Sequence, residues 1–341
     1  MAAAPTSRPV PTHIPGYHPG RVVRTEEVHE VDFLEEVETV WGGPWGAHTK
    51  IGKLRHALVC RPTENDAPPE ARKDPISYGF LDGVPDVGQM QEEHDEFVKI
   101  MRDHGVVVDY MDVADHQMGA YMRLRSLWAT ASAFTLNGGA IIPRYGRGPW
   151  RRGQEVLLAR KLMELGCPIL YTVHGKGVCE IGGNCFWLDD KHIVFALGTS
   201  GNIEGFRQVE PILRLAGAEE IHLGAFTGIA HLDLVLAIAG AWIAVIHRPH
   251  LDHETIRYLY KKGFDIIDTT HDEFKRSACN MLSLDERTVI LPAGNERLAE
   301  QLDKRGIRVI ESPFKAMHLA GGGPHCAVGV LRRDPGPRLP R

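Results

Sequence analysis

The sequence has no excess of positive charge. Among its 341 residues, 39 Lys and Arg stand against 44 Asp and Glu, a formal net charge of -5. A nucleic-acid surface needs basic residues in excess and clustered, so a nucleic-acid partner is not expected. Long apolar runs are also lacking. The longest, Leu234 to Ile246, is too short to span a bilayer and is interrupted by Gly240. The opening Met-Ala-Ala-Ala-Pro-Thr-Ser-Arg-Pro has no apolar core of signal-peptide length. The expectation is a cytoplasmic protein without a membrane partner. Cysteine is sparse: Cys60, Cys167, Cys179, Cys185, Cys279 and Cys326 include no Cys-x-x-Cys pair. They are expected as reduced thiols rather than a zinc site, and neither a metal nor a cofactor is expected.

Apolar residues are plentiful. At 43% of the chain they suffice for a large core. Residues 1–45 are rich in Pro, Thr and Arg, then acidic, and read as a mobile N-terminal arm anchored near Trp41 and Trp45. Residues 46–335 read as one α/β domain, and 336–341, rich in proline, as a frayed tail.

Within that domain one pattern recurs. Five amphipathic helices each end at a glycine that is followed by a short β-rich segment: Gly105, Gly166, Gly217, Gly263 and Gly306. Glycine suits the left-handed residue that closes a helix. Hairpin signals precede the helices. Phe134–Leu136 and Ala140–Ile142 flank an Asn-Gly-Gly turn, Phe186–Leu188 pairs with Ile193–Phe195, Leu234–Ile238 with Trp242–Ile246, and Met281–Leu284 with Val289–Leu291. Ala57–Cys60 is a weaker first example. The unit is strand, strand, helix, strand. One such unit cannot bury both faces of its sheet, whereas five around an axis can. The last strand, Cys326 to Leu331, could return to the first unit and close the ring. The expected fold is a five-bladed α/β propeller with pseudo-fivefold repeats. An open doubly wound sheet is the alternative, and the hairpins argue against it.

The segments just before the first strand of each unit carry the chemistry. They are Cys179-Glu180-Ile181-Gly182-Gly183-Asn184, then His231-Leu232-Asp233, then Cys279-Asn280, and finally Gly321-Gly322-Gly323-Pro324-His325-Cys326. In a ring, equivalent positions converge on the axis, so these side chains should share one pocket. Alone, a buried His or Cys is usually a packed core residue. Together, a thiol, an imidazole and carboxylates suit nucleophilic catalysis. Cys326 would attack an electrophilic carbon, and His231 would move protons to the leaving nitrogen and from water. A carboxylate suits a planar cation with paired N–H donors. His325 or a nearby cation would lower the Cys326 pKa, as would a bound guanidinium.

These motifs resemble the guanidino-group-modifying enzyme superfamily: arginine deiminases, dimethylarginine dimethylaminohydrolases and amidinotransferases. The resemblance rests on Gly-Gly-Gly-Pro-His-Cys-Ala-Val, His231-Leu232-Asp233-Leu234-Val235 and Glu180-Ile181-Gly182-Gly183-Asn184, and spans roughly residues 50 to 335. It implies the pentein fold, a five-bladed α/β propeller. It implies Cys326 as the nucleophile of an amidino-thioether intermediate, His231 as acid and base, and Glu180 as the acid that holds His231 and substrate. Asp233 would pair with guanidinium nitrogens, and Asn184, Asn280 and Gly323 would complete the substrate pocket. Two departures stand out. The Glu180 motif has one extra residue and ends in Asn184 rather than Asp. In the second repeat, Arg125-Ser126-Leu127-Trp128-Ala129-Thr130 has no carboxylate where the superfamily commonly has an Arg-Asp; either the substrate needs no second carboxylate or carries a modified guanidine, or Asp112 or Asp115 reaches in.

The leading expectation is thus a cysteine-dependent hydrolase of a C–N bond in a guanidino or substituted guanidino small molecule. An amidinotransferase is the first rival and a non-catalytic propeller that binds a ligand the second. A zinc hydrolase using Cys179 and Cys185 is a weaker third. A homodimer is expected only on general grounds.

Overall fold

The computed structural model describes Gly20 and residues 32–80, 82–113, 126–146 and 151–339. Five three-stranded units organise these residues. The second runs Phe134–Leu136, Gly139–Ile142 and Ile169–Thr172. The third runs Cys185–Trp187, His192–Leu197 and Glu220–Ala225. The fourth runs Leu236–Gly240, Ile243–Ile246 and Asp265–Asp268, and the fifth Leu282–Asp285, Thr288–Pro292 and Arg308–Ser312. In each, the first two strands pair antiparallel as a hairpin, and the third returns parallel to the second after a helix.

The first unit is assembled from both ends of the chain. Leu54–Val59 pairs parallel with Val107–Tyr110, and its antiparallel neighbour is Gly329–Arg333, the last strand of the sequence. The return of the final strand is therefore observed, starting at Gly329 rather than Cys326. Val330 also pairs with Phe134, which joins the first and second units into one six-stranded sheet.

Local chemistry explains the boundaries. The helices Val87–Asp103, Ile203–Leu215 and His253–Lys261 start where Asp86, Asn202 and Asp252 accept hydrogen bonds from backbone N–H groups of the first turn. Gly105, Gly166, Gly217, Gly263 and Gly306 all have left-handed φ, between 75° and 111°. The strand expected from Leu234 begins instead at Leu236, because Leu232–Leu234 form a 3-10 turn. That turn sets Asp233 at the mouth of the hairpin.

The inner strands touch one another in succession. Thr135 Oγ1 donates to the Val330 and Leu331 carbonyls. Arg333 Nη2 donates to the Ser283 carbonyl at 2.7 Å, and Ser283 Oγ to the Ile238 carbonyl at 2.8 Å. Leu236 and Ile238 share an apolar cluster with Phe186 and Leu188, and Cys185 and Trp187 share another with Phe134 and Leu136.

Both ends of the chain differ from expectation where they are described. Part of the supposed mobile arm, Phe33–Val40, is a helix whose Val37 is buried with Trp45, Leu58 and Leu331. Residues 1–19 and 21–31 of that arm lie outside the described residues. The supposed frayed tail is docked as far as Leu339. Its backbone N–H donates to Asp189 Oδ2 at 2.7 Å, and its side chain is buried beside Phe186 and Leu188. Prolines prevent regular structure there, but a buried carboxylate and an apolar seat hold the segment without it. Among the described residues, no helix is long and apolar enough to cross a membrane.

The helix-closing glycines separate backbone strain from crowding. A Cβ at Gly263 would meet nothing within 4 Å, whereas at Gly205 it would fall 2.0 Å from the Val178 carbonyl oxygen. Gly263→Ala is expected to cost about 1 kcal/mol in urea denaturation, the penalty for a left-handed alanine. Gly205→Ala, with normal φ but no room, is expected to cost more, about 2 kcal/mol or above.

Candidate active site

Asn280 closes the 3-10 turn Ala278–Asn280, just before the inner strand of the fifth unit. Its side chain is fully buried. Asn280 Oδ1 accepts from the backbone N–H groups of both Gly323 and Cys326 at 3.0 Å. Asn280 Nδ2 donates to the Asp233 carbonyl and to Cys326 Sγ, each at 3.1 Å. One amide thus fixes the glycine-rich loop and its thiol. Glycine is required along that loop: a Cβ at Gly323 would lie 3.0 Å from Asn280 Oδ1, and at Gly322 2.9 Å from the Trp128 ring and 3.0 Å from Cys326 Cβ.

A second chain of contacts approaches Cys326 from the other side. Cys326 Sγ lies 3.4 Å from Asp233 Oδ2. The same oxygen lies 2.8 Å from His325 Nδ1, and His325 Nε2 lies 3.2 Å from Lys50 Nζ. A lysine ammonium only donates, so His325 accepts at Nε2 and donates from Nδ1 to Asp233. Burial and the neighbouring Lys50 charge hold the His325 pKa below its ordinary value. Burial works against the Asp233 charge, but the His325 hydrogen bond and the nearby His325 and His231 rings outweigh it, so its carboxyl stays below the usual range. Asp233 Oδ1 is buried and has no hydrogen-bond partner among the described residues.

The Cys326 thiol itself is pushed well above its ordinary pKa, first by burial and then by the Asp233 carboxylate. This corrects the expectation that His325 would favour the thiolate. His325 is turned toward Asp233 and held below its ordinary pKa, and the charged group beside the sulfur is the Asp233 carboxylate. The raised pKa makes Cys326 a protonated thiol at rest.

His231 precedes the turn that carries Asp233. Its Nε2 lies 2.8 Å from Glu180 Oε2. Glu180 is fully buried and also pairs with Arg151 Nη1 at 3.0 Å. The carboxylate makes Nε2 the donor, and Nδ1 of a neutral ring is left as the basic atom. Asp233 is in electrostatic reach of both His231 and Cys326, so the imidazole and the thiol lie on the same side of the molecule.

The structure thus gathers Cys326, His231, Glu180 and Asp233 in one place, from three different units. Asn184, Asn280 and Gly323 belong to the same region, but their polar groups face the protein. Asn184 Nδ2 donates to Ser200 Oγ at 2.8 Å and its Oδ1 accepts from Leu232 N–H at 3.3 Å, so it holds the His231–Asp233 turn. Asp112 is exposed, and Asp115 and Arg125 lie outside the described residues. Ser126–Ser132 is a 3-10 helix that brings Trp128, not a carboxylate, against the nucleophile loop. Among the described residues, no group of His, Cys, Asp and Glu side chains is arranged to hold a metal ion.

Two contributors escaped the sequence reading. Arg151 lies over the Tyr145 ring at 4.3 Å, and besides Glu180 its Nη2 donates to the Trp128 carbonyl at 3.0 Å. Lys50 supports His325 and sits 4.1 Å from the Phe186 ring centre. Lys50 lies ahead of the first strand and Arg151 in the loop before the helix of the second unit, and no spacing marks them.

Comparison with known proteins agrees with this arrangement. Residues 169–333, which contain Glu180, His231, Asp233, Asn280 and Cys326, match the family described as N,N dimethylarginine dimethylhydrolase, eukaryotic. Over this span the chain is similar to the guanidino-modifying pentein enzymes. A 2-nitroimidazole nitrohydrolase of Mycobacterium sp. (strain JS330) is 27% identical over 336 residues, covering 91% of this chain and 88% of the relative. The superfamily's fold is also seen in solved structures. The dimethylarginine dimethylaminohydrolase of Pseudomonas aeruginosa, complexed with citrulline, matches with a TM-score of 0.66 at 20% identity, over 82% of this chain and 100% of that one. SxtG, an amidinotransferase from Microseira wollei, matches with a TM-score of 0.67 at 16% identity, over 87% and 99%.

A raised thiol pKa has a direct chemical signature. Alkylation of Cys326 by iodoacetamide, followed by intact mass, is expected to be at least tenfold slower than that of free cysteine at pH 7.5 and to keep rising beyond pH 9. A rate that levels off near pH 7 would mean that the thiolate is already formed. Asn280→Ala leaves two buried N–H groups unpaired and is expected to lower stability by about 2 to 4 kcal/mol in denaturant titration.

Proposed function

We propose that this protein is a hydrolase that cleaves a C–N bond of a guanidino or substituted guanidino compound through a covalent intermediate on Cys326. The five units are read as the blades of a five-bladed α/β propeller, which the succession of inner-strand contacts supports. One observation carries the functional reading: a buried carboxylate oxygen, Asp233 Oδ1, lacks a protein donor beside a thiol held 3.4 Å from its twin. An amidinium or guanidinium supplies both an N–H for that oxygen and a positive charge for the site.

The order of events follows from the electrostatics. The empty site disfavours the thiolate. A bound cation removes that penalty, and the thiol passes its proton to His231 Nδ1. The sulfur attacks the central carbon, a C–S bond forms, and the carbon becomes tetrahedral. His231 in its protonated form gives a proton to the leaving nitrogen, and the C–N bond breaks. His231 Nδ1 then takes a proton from water as its oxygen adds to the carbon. The C–S bond breaks and releases a ureido product. Glu180 stabilises the charged imidazole, and Arg151 pairs with Glu180 from its other side.

A second reading rests on the second unit. The Trp128 ring lies against Gly322, an aromatic surface beside the loop that carries Cys326. A planar ring whose reactive carbon lies between two nitrogens fits that surface, and 2-nitroimidazole, named for the Mycobacterium relative, has such a carbon. There the sulfur would displace nitrite in place of an amine.

The test is a screen of guanidino compounds and 2-nitroimidazoles against wild type and Cys326→Ala, with intact mass spectrometry of quenched reactions. A ureido product with an amine, together with a mass adduct on Cys326, is expected. Nitrite release would favour the ring substrate, and dependence on an added amine would indicate amidino transfer. Undiminished turnover by Cys326→Ala would refute the proposal. Asp233→Asn is expected to lower kcat/KM by roughly 100-fold or more.

A further inference from the structure

A second polar site lies behind the first. A partly open cavity of about 30 Å³ lies between the inner strands of the first three units and is lined by Lys50, Trp187, Arg333, His325, Cys185 and Thr135, among others. Such a volume admits a water-sized guest. Its wall is one-sided in chemistry. Trp187 Nε1 and Arg333 Nε are buried donors with no partner among the described residues. Trp187 is 1% exposed and Arg333 8%. The other two Arg333 nitrogens donate to the Gly52 and Ser283 carbonyls at 2.7 Å, which locks the guanidinium in place. Lys50 gives one N–H to His325 Nε2. The Thr135 hydroxyl donates to strand carbonyls. No carboxylate lines the cavity.

We propose that this cavity is a binding site for a small inorganic anion of halide size, held by Lys50, Arg333 and Trp187. A water molecule is a poor match, because it accepts only two hydrogen bonds and brings no charge to offset two buried cations. A halide accepts from all three groups at once and neutralises one positive charge. The strain shows in the cations: burial and Arg333, against the opposing charge of Asp233, bring Lys50 down to about 8, and burial, only partly offset by Asp285, pushes Arg333 below its ordinary value. The site is also wired to the nucleophile. Lys50 contacts His325, His325 contacts Asp233, and Asp233 contacts Cys326. An anion that keeps Lys50 charged keeps His325 accepting at Nε2 and donating to Asp233.

The experiment uses the full chain and reads binding, not turnover, so it stands apart from the proposed chemistry. Crystals soaked in sodium bromide are measured at the bromine edge, and thermal midpoints are followed in sodium chloride against sodium gluconate at constant ionic strength. An anomalous peak between Lys50, Arg333 and Trp187 is expected, with a midpoint that rises with chloride and not with gluconate, an ion too large for the cavity. Trp187→Phe keeps the ring and removes one donor, and is expected to raise the half-saturating chloride roughly tenfold. Lys50→Met is expected to abolish the chloride response. Water density without an anomalous peak, equal midpoints in the two salts, or a chloride response unchanged in both variants would overturn the proposal.

Discussion

The carboxamide of Asn280 is buried where three segments of the chain meet, and its two ends serve different partners. The oxygen receives the two N–H groups that shape the loop before Cys326, while the nitrogen reaches the sulfur and the backbone of Asp233. Neither a carboxylate nor an alkyl chain could do both, since one lacks donors and the other lacks everything polar. Because the thiol and the acid are both tied to this amide, their separation does not depend on flexible side chains. The glycine-rich loop is compact only because the amide occupies the space that side chains would need. Electrostatic preorganisation of the remaining groups presupposes this fixed core.

Around that core, charge is arranged in two parallel relays. On one side Lys50 and His325 lead to Asp233; on the other Arg151 and Glu180 lead to His231. Each begins with a cation and ends at a group to which the proposed chemistry gives a part. The two acids have different fates. Glu180 is engaged by an arginine and a histidine, whereas Asp233 retains an oxygen for a newcomer. Buried ion pairs contribute little net stability, because desolvation offsets attraction. Their value here lies in fixing ring tautomers and charge states before substrate arrives.

Much of this was legible in the sequence. The glycines that close the helices, the hairpins before them and the recurrence of Glu180, His231, Asn280 and Cys326 at one phase of the repeat sufficed to place distant residues together. Periodicity works because a repeated unit must bury its faces against copies of itself. What periodicity could not reveal were the residues that no spacing marks. Lys50 lies ahead of the first strand and Arg151 in the approach to a helix, and their roles are fixed by packing alone. The direction of the Cys326 shift was also hidden, since it turns on burial and on which way His325 faces. Proline content misjudged residues 336–339, because docking needs only a few good contacts and not a regular backbone.

The first unit takes its antiparallel strand, Gly329–Arg333, from the far end of the chain, only three residues beyond Cys326. A polypeptide emerging from the ribosome therefore holds four complete units while the first still has an open edge. That edge is sealed by the same segment that delivers the sulfur. Placement of the Cys326 thiol and completion of the first sheet therefore coincide, so a chain cut short before this segment lacks both the sulfur and the strand that seals the edge.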